Sequence, residues 1–146
     1  MYSHILLTTD GSELALRAAR HGLALAKSVL ARTTVLTVTP PWPDMALSEI
    51  AVGRHQPDYE ARIVDYAASC LGKVQDAAAA LGVPCDGVHA TASRAFEAIV
   101  ATAKERSVDL IVVGSHGRRG VSALLLGSET TRVLIHSTTP VLVYRE

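Results

Sequence analysis

Val108-Asp109-Leu110-Ile111-Val112-Val113-Gly114-Ser115-His116-Gly117-Arg118-Arg119-Gly120 joins an almost unbroken apolar run to a glycine-rich loop, and Gly127-Ser128 follows after Leu124-Leu125-Leu126. The apolar run has the character of a strand covered on both faces. Glu129 to His136 has the character of a helix. Glycine has no Cβ, so backbone N–H groups in such a loop can approach an anion closely. The helix that follows presents unsatisfied N–H groups and roughly half a positive charge at its N-terminus. A glycine loop between strand and helix is therefore where an α/β protein holds phosphate.

Strand–helix alternation continues outward from this point in both directions. Ile5 to Thr8 is a short apolar run closed by the turn signal Asp10-Gly11. From Ser12 to about Leu30 the period becomes helical, with Ala15, Ala18, Ala19, Gly22, Leu23, Ala26 and Leu30 on one stripe. That stripe is alanine-rich, which suits close packing on a sheet. Thr33 to Thr39 is β-branched and predicts a second strand, ended by Pro40-Pro41-Trp42-Pro43. A long connection reaches Pro57, with a short helix expected at Met45–Val52. The next helix is expected from Asp58 to Leu81, with Val64, Ala67, Leu71, Val74, Ala78 and Leu81 inward. A coiled-coil seam has similar steps, but the pattern lasts fewer than three heptads, and packing on a sheet is preferred. Gly82-Val83-Pro84 stops this helix, Cys85 to Thr91 forms a strand, and Ser93 can cap a helix with Phe96, Ile99, Val100 and Ala103 inward. Pro140-Val141-Leu142-Val143-Tyr144 is the last strand. The order βαβαβαβαβ implies a parallel, doubly wound sheet with right-handed crossovers.

A chain of 146 residues is expected to form one domain and to bury roughly 70% of its extended surface. Formal net charge is zero, which offers no basic field for a nucleic acid or an anionic membrane. No apolar run approaches the roughly 18 residues of a membrane span, and Met1 leads straight into a strand without a signal-peptide pattern. Cys70 and Cys85 lack CxxC or zinc spacing and suit buried thiols in a reducing compartment. A cytoplasmic protein is expected. His4, His21, His55, His89 and His136 show no metal-ligand spacing and are assigned surface or cap roles.

Two common phosphate motifs do not match. The P-loop's Gly-Lys-Ser/Thr ending is missing, and the dinucleotide fingerprint needs G-x-G-x-x-G after a first strand. Gly114, Gly117 and Gly127-Ser128 are instead separated by two and nine residues. That spacing resembles the ATP-binding members of the universal stress protein family. Ile5-Leu6-Leu7-Thr8-Thr9-Asp10-Gly11-Ser12-Glu13 resembles the family's first strand and Asp-Gly-Ser turn, and Pro140 to Tyr144 its last strand. Only Pro40 to about Tyr59 lacks a counterpart.

The resemblance implies one nucleotide-binding domain over 1–146, a Rossmann-like five-stranded parallel sheet in the order 3-2-1-4-5 with helices on both faces. In that order the turns after strands one and four face each other across a switch-point crevice, where ligands bind. It implies ATP as ligand, with Mg²⁺ or Mn²⁺ bridging phosphates, and a homodimer joined through the final strand at Val141 and Val143. The cofactor residues it implies are Thr8, Thr9, Asp10, Val38, Val113, Gly114, His116, Gly117, Arg118, Arg119, Gly127, Ser128, Glu129 and Thr130. Of these, Asp10 would meet the nucleoside with Thr8 and Thr9 on the same wall, the Val38 backbone would meet adenine, and His116 would act through its backbone.

Each candidate also has a plainer role. Gly114 and Gly117 can simply permit a tight turn, and Asp10 can form an Asx-turn or cap a helix. Ser128 can be both an N-cap and a phosphate ligand. Arg118 and Arg119 are either solvated loop charges or neutralise phosphate. Glu129 departs from the apolar residue common in the family: a carboxylate suits a helix N-terminus but repels a phosphate if it points inward. Ala92-Ser93-Arg94 likewise replaces a common Gly-x-Pro, and the Pro-rich segment around Trp42 can cover adenine or meet a partner. Nothing resembles a Ser-His-Asp arrangement. Regulatory ATP binding in a stress response is therefore expected. The alternatives are slow ATP hydrolysis and a nucleotide-free dimerisation module.

Overall fold

The computed structural model describes residues 1–117 and 125–146. Its elements run β1 (His4–Thr8), α1 (Glu13–Val29), β2 (Arg32–Thr39), α2 (Trp42–Ala51), α3 (Gln56–Leu81), β3 (Cys85–Thr91), α4 (Ala95–Glu105), β4 (Leu110–Gly114), α5 (Ser128–His136) and β5 (Val141–Tyr144). The strands form one all-parallel sheet in the order β3-β2-β1-β4-β5. The central pairs fix its register: Leu6 lies opposite Thr34 on one side and Ile111 on the other.

Successive strand side chains point to opposite faces, and the core divides accordingly. Ile5, Leu7, Val35, Leu110 and Val112 pack with Ala19, Leu23 and Ala26 of α1 and with Val74 and Ala78 of α3. Leu6, Leu36, Ile111 and Val113 pack with Ile99 and Ala103 of α4 and with Val133 of α5. A sheet covered on both faces needs the continuous apolar runs seen in β1 and β4. Gly22 shows how close α1 sits: a Cβ there would come 2.4 Å from Leu7 Cδ2.

Several local expectations need correction. The α1 stripe ends at Ala26, because Leu30 is a left-handed C-cap (φ 59°) and 93% exposed. The α3 stripe runs through Tyr59, Ala67, Cys70, Val74 and Ala78, leaving Val64 exposed. Helix α2 begins at Trp42 rather than Met45, and α3 at Gln56 rather than Asp58. In both, proline occupies the first turn, where its missing N–H is not needed by the helix. Trp42 and Tyr59 stack with ring centroids 5.6 Å apart, and the Tyr59 hydroxyl donates to the Pro40 carbonyl at 2.5 Å. Buried Glu49 draws Arg62 to 2.6 Å and Arg54 to 3.6 Å. The Pro-rich connection is thus folded against α3.

Ser93 does not cap α4; the N-cap is Arg94, without a side-chain cap bond. Gly127, not Ser128, is the N-cap of α5, and Ser128 is its first residue. His4 holds no surface or cap role. It is buried, with its ring nitrogens on the Arg106 carbonyl (3.1 Å) and Thr34 Oγ1 (2.8 Å). Burial, helped by the Arg32 charge, holds its pKa below the usual imidazole value. His55 does take a cap position, at the start of α3.

Candidate functional site

Where β1 and β4 lie side by side, β1 continues to β2 and β4 to β5, so their C-terminal turns open onto one crevice. The β1 wall is fixed atom by atom. Thr9 N donates to the Leu36 carbonyl at 2.9 Å, and the Thr37 hydroxyl donates to the Thr9 carbonyl. Asp10 Oδ1 accepts from Ser12 N at 3.0 Å, forming the Asx-turn, while Ser12 Oγ accepts from Ala15 N at 3.2 Å and caps α1. Gly11 adopts φ 83°, a region that favours glycine. A Cβ there would also come 2.9 Å from Cys70 Sγ. The Tyr66 hydroxyl reaches over from α3 to the Asp10 carbonyl.

On the β4 wall, Ser115 N donates to the Tyr144 carbonyl at 2.8 Å and Gly127 N to the Ser115 carbonyl at 2.7 Å. The second bond closes the loop on itself. Gly127 sits tight against the loop, since a Cβ there would come 3.0 Å from the His116 Cα and the backbone would have to give slightly. Thr130 Oγ1 donates to the Gly114 carbonyl at 2.8 Å and ties the first turn of α5 to the end of β4. The two walls meet at Gly117, where a Cβ would stand 2.9 Å from Asp10 Oδ2.

Between the walls is an open cavity of ≈110 Å³ lined by Thr8, Thr9, Asp10, Val38, Val113, Gly114, His116, Gly117, Glu129 and Thr130. Ala15, Leu36, Ala95, Ile99 and Val133 complete it. Gly127 and Ser128, the N-cap and first residue of α5, are not among the lining residues. Arg118 and Arg119 lie outside the described residues. The additional lining residues are apolar. Each carries the signal of an inward helical stripe or buried strand, which says "core" rather than "site". Tyr66, which holds the Asp10 carbonyl from a different helix, carries no local signal at all.

Glu129 combines its two alternatives: it serves a helix end and also lines the cavity. Its Oε2 accepts from Phe96 N at 2.8 Å, so it caps α4 from α5, while Oε1 accepts from Arg132 Nη1 at 3.0 Å. The Arg132 guanidinium lies 5.9 Å from the Phe96 ring centroid, within cation–π reach. The apolar side of the cavity suits a flat ring, and the glycine side with the α5 N-terminus suits an anion. Among the described residues no group of three or more His, Cys, Asp or Glu is placed to hold a metal ion. No described helix is long and apolar enough to cross a membrane.

The model of the universal stress protein family matches residues 1–145. Universal stress protein MJ0531 of Methanocaldococcus jannaschii is 32% identical over 148 residues, covering 100% of this chain and 84% of its own. A universal stress protein of Thermus aquaticus is 32% identical over 145 residues, covering 99% of this chain and 100% of its own. Among solved structures, the hypothetical protein MJ0577 superposes with a TM-score of 0.84 at 27% identity, over 100% of this chain and 97% of that one. A universal stress protein in complex with cAMP superposes with a TM-score of 0.72 at 26% identity, over 99% and 97%. With the sheet order, the crevice and a match over nearly its whole length, the chain belongs to the universal stress protein family.

Proposed function

We propose that the whole chain is one ATP-binding domain, a regulatory module acting in a cytoplasmic stress response. The observation that carries the proposal is the convergence of two separate turns, Thr8-Thr9-Asp10 and Gly114 to Gly117, on one cavity beside the α5 N-terminus. The residues present fit a nucleotide. Gly117 and Gly127 leave room where a Cβ would collide. Val38, Leu36 and Ile99 offer an apolar wall for a purine. A related structure holds cAMP, which shares the adenosine part.

In this arrangement Asp10 meets the ribose, the Val38 backbone the base, and the Gly114–Gly117 and Gly127-Ser128 segments the phosphates, with Thr8, Thr9, Val113, His116 and Thr130 around them. Arg118 and Arg119 add positive charge. Mg²⁺ or Mn²⁺ travels with ATP on its phosphates and offsets their charge. Occupancy changes the glycine loop or the dimer surface, and regulation follows from binding rather than turnover. The homodimer forms through β5, an edge strand of intermediate burial whose unpaired N–H and C=O groups suit pairing with a second copy.

Mass spectrometry of the protein purified under native conditions, then denatured, tests this directly. ATP released in stoichiometric amount is the expected result. An adenine-free protein that also gives no calorimetric signal with ATP and Mg²⁺ refutes the assignment and leaves a nucleotide-free dimerisation module.

A further inference from the structure

Glu129 is the second residue of α5, directly behind Gly127-Ser128, and it lines the cleft together with Asp10. Among the described residues these two carboxylates are the charged side chains of the cleft wall, and no described lysine or arginine lines it. The Glu129 charge is fixed rather than free to swing away, being bonded to Phe96 N at 2.8 Å and to Arg132 at 3.0 Å. Arg132 offsets only part of it, because both members of that pair are more than a third exposed and water screens their attraction.

Two helix N-termini border the cleft. That of α4, whose first residue Ala95 lines the same cavity, has no cap from its own Arg94 and receives the Glu129 carboxylate instead. A protein carboxylate thus already holds one of the two positions that favour an anion. The other, at α5, carries that same carboxylate within its first turn.

We propose that Glu129 makes this cleft a charge filter. It takes an adenine nucleotide bearing a single phosphate in preference to the metal-free triphosphate, and Glu129 is the residue that sets the order. The proposal rests on the nucleotide reading given above. A monophosphate ester carries about −1.5 to −2 charges at neutral pH, and a triphosphate brings more negative charge to the same wall. Glu129 lines the cavity and directly follows Gly127-Ser128, so a phosphate bound at that turn lies within the Debye length of roughly 10 Å at 0.1 M salt. Their repulsion is therefore felt at low ionic strength and fades as salt is added. ATP enters this site as its divalent-cation complex, in which the metal has removed part of the charge.

Calorimetry with adenosine, AMP and ATP in EDTA, at low and high salt, tests the filter on the full chain and on Glu129→Gln. That substitution removes the charge and keeps a carbonyl oxygen to accept from Phe96 N. The wild-type chain is expected to bind AMP about tenfold more tightly than ATP, with the gap narrowing as salt rises. Glu129→Gln is expected to recover about tenfold for ATP while adenosine changes by less than about twofold. Metal-free ATP binding as tightly as AMP to the wild type overturns the proposal, as does an AMP-to-ATP ratio unchanged by Glu129→Gln. If Glu129→Gln fails to fold, the wild-type order and its salt dependence still decide. If adenosine binds but the order is wrong, only the filter falls. If none of the three binds in EDTA, ATP with Mg²⁺ decides: binding leaves the nucleotide reading and sinks the filter, and no binding sinks both.

Discussion

Replacing Gly117 by valine perturbs a place where the two walls of the crevice meet. The Cβ of Gly117→Val would stand 2.9 Å from Asp10 Oδ2, closer than a carbon and a carboxylate oxygen tolerate, so Asp10 must turn. Its other oxygen holds Ser12 N at 3.0 Å, and turning away forfeits a hydrogen bond worth about 0.5–1.5 kcal/mol. A loss near 1 kcal/mol lowers the melting temperature of a chain this size by about 3 °C, so the variant remains folded. Ligand binding suffers more. On the proposed binding mode, the Asp10 carboxylate leaves the place assigned to the ribose, and two added methyl groups intrude on the backbone assigned to phosphate. ATP affinity is expected to fall at least tenfold, or about 1.4 kcal/mol. Gly72→Ala serves as the control, because Gly72 lies in α3 and a Cβ there meets nothing within 4 Å. It is expected to raise stability by up to about 1 kcal/mol, the helix-propensity difference, and to leave ATP binding unchanged. Calorimetry and thermal melts of the two variants give the comparison. A folded Gly117→Val protein with wild-type ATP affinity refutes the placement of the nucleotide between these walls.

Replacing Arg118 and Arg119 together by alanine is expected to weaken ATP more than adenosine and to flatten the salt dependence of ATP binding; equal losses for the two ligands show that the pair does not read phosphate. If the proposed homodimer forms through β5, Val143→Asp dissociates it, because it places a charge at the β5 edge; a wild-type monomer, or a folded variant of unchanged dimeric mass by light scattering, excludes that strand as the contact. His4 gives a pH signature. Its folded pKa lies below the ordinary value, so the folded state binds fewer protons. Its stabilising contribution is full above roughly pH 6.5 and is lost as pH falls toward the folded pKa. His4→Gln is expected to flatten that decline in the melting temperature, and an unchanged profile assigns the pH dependence elsewhere. Asp109 acts lower on the scale. Burial alone would raise its pKa, but bonds from Ser3 N, Ser3 Oγ and His4 N outweigh that and lower it. Its contribution is present above roughly pH 4 and fades as pH falls further.

The sheet was legible because β1 and β4 are continuous apolar runs. Such runs fit only strands buried on both faces, and the helical stripe of α1 between β1 and β2 requires a crossover. The interior strand β2 is legible in its β-branched residues and the edge strand β3 in the Gly82-Val83-Pro84 stop before it, and β3 begins and ends at Cys85 and Thr91 as expected. What failed were ends and single residues decided by tertiary partners. Proline at Pro43 and Pro57 reads locally as a break, but each lies in a first turn where it is tolerated. Ser93 has the chemistry of a cap, yet Glu129, 33 residues away, supplies the bond to Phe96 N. His4 looks like a surface residue near a terminus, and is buried because Thr34 and the Arg106 carbonyl satisfy both ring nitrogens. The glycine side of the cavity could be anticipated from spacing. The apolar side could not, since Ile99 and Val133 belong to both core and cavity and their pattern signals only burial.

A cavity whose described charges are both negative still offers an anion a place, and the backbone explains how. Strand C-termini end in carbonyl oxygens, which repel phosphate as a carboxylate does, only more weakly. Around this crevice hydroxyl groups cover them in turn. Thr37 donates to the Thr9 carbonyl, Tyr66 to the Asp10 carbonyl, Thr130 to the Gly114 carbonyl and Thr131 to the Gly127 carbonyl. The donors come from β2, α3 and α5, and one of them, Thr130, itself lines the cavity. Each bond satisfies lone pairs that would otherwise need water or oppose a ligand. It also fixes the orientation of the peptide unit, so the next N–H cannot rotate freely. The sheet therefore contributes more than position. Hydroxyl-bearing residues in and around the wall turn a polar rim of carbonyls into one where N–H dipoles and the α5 N-terminus decide the local field. Glu129, held at the α4 end, is the main described charge left to oppose them from the α5 side of the cleft. For that reason a single neutralising substitution there is expected to reorder the ligands without rebuilding the site.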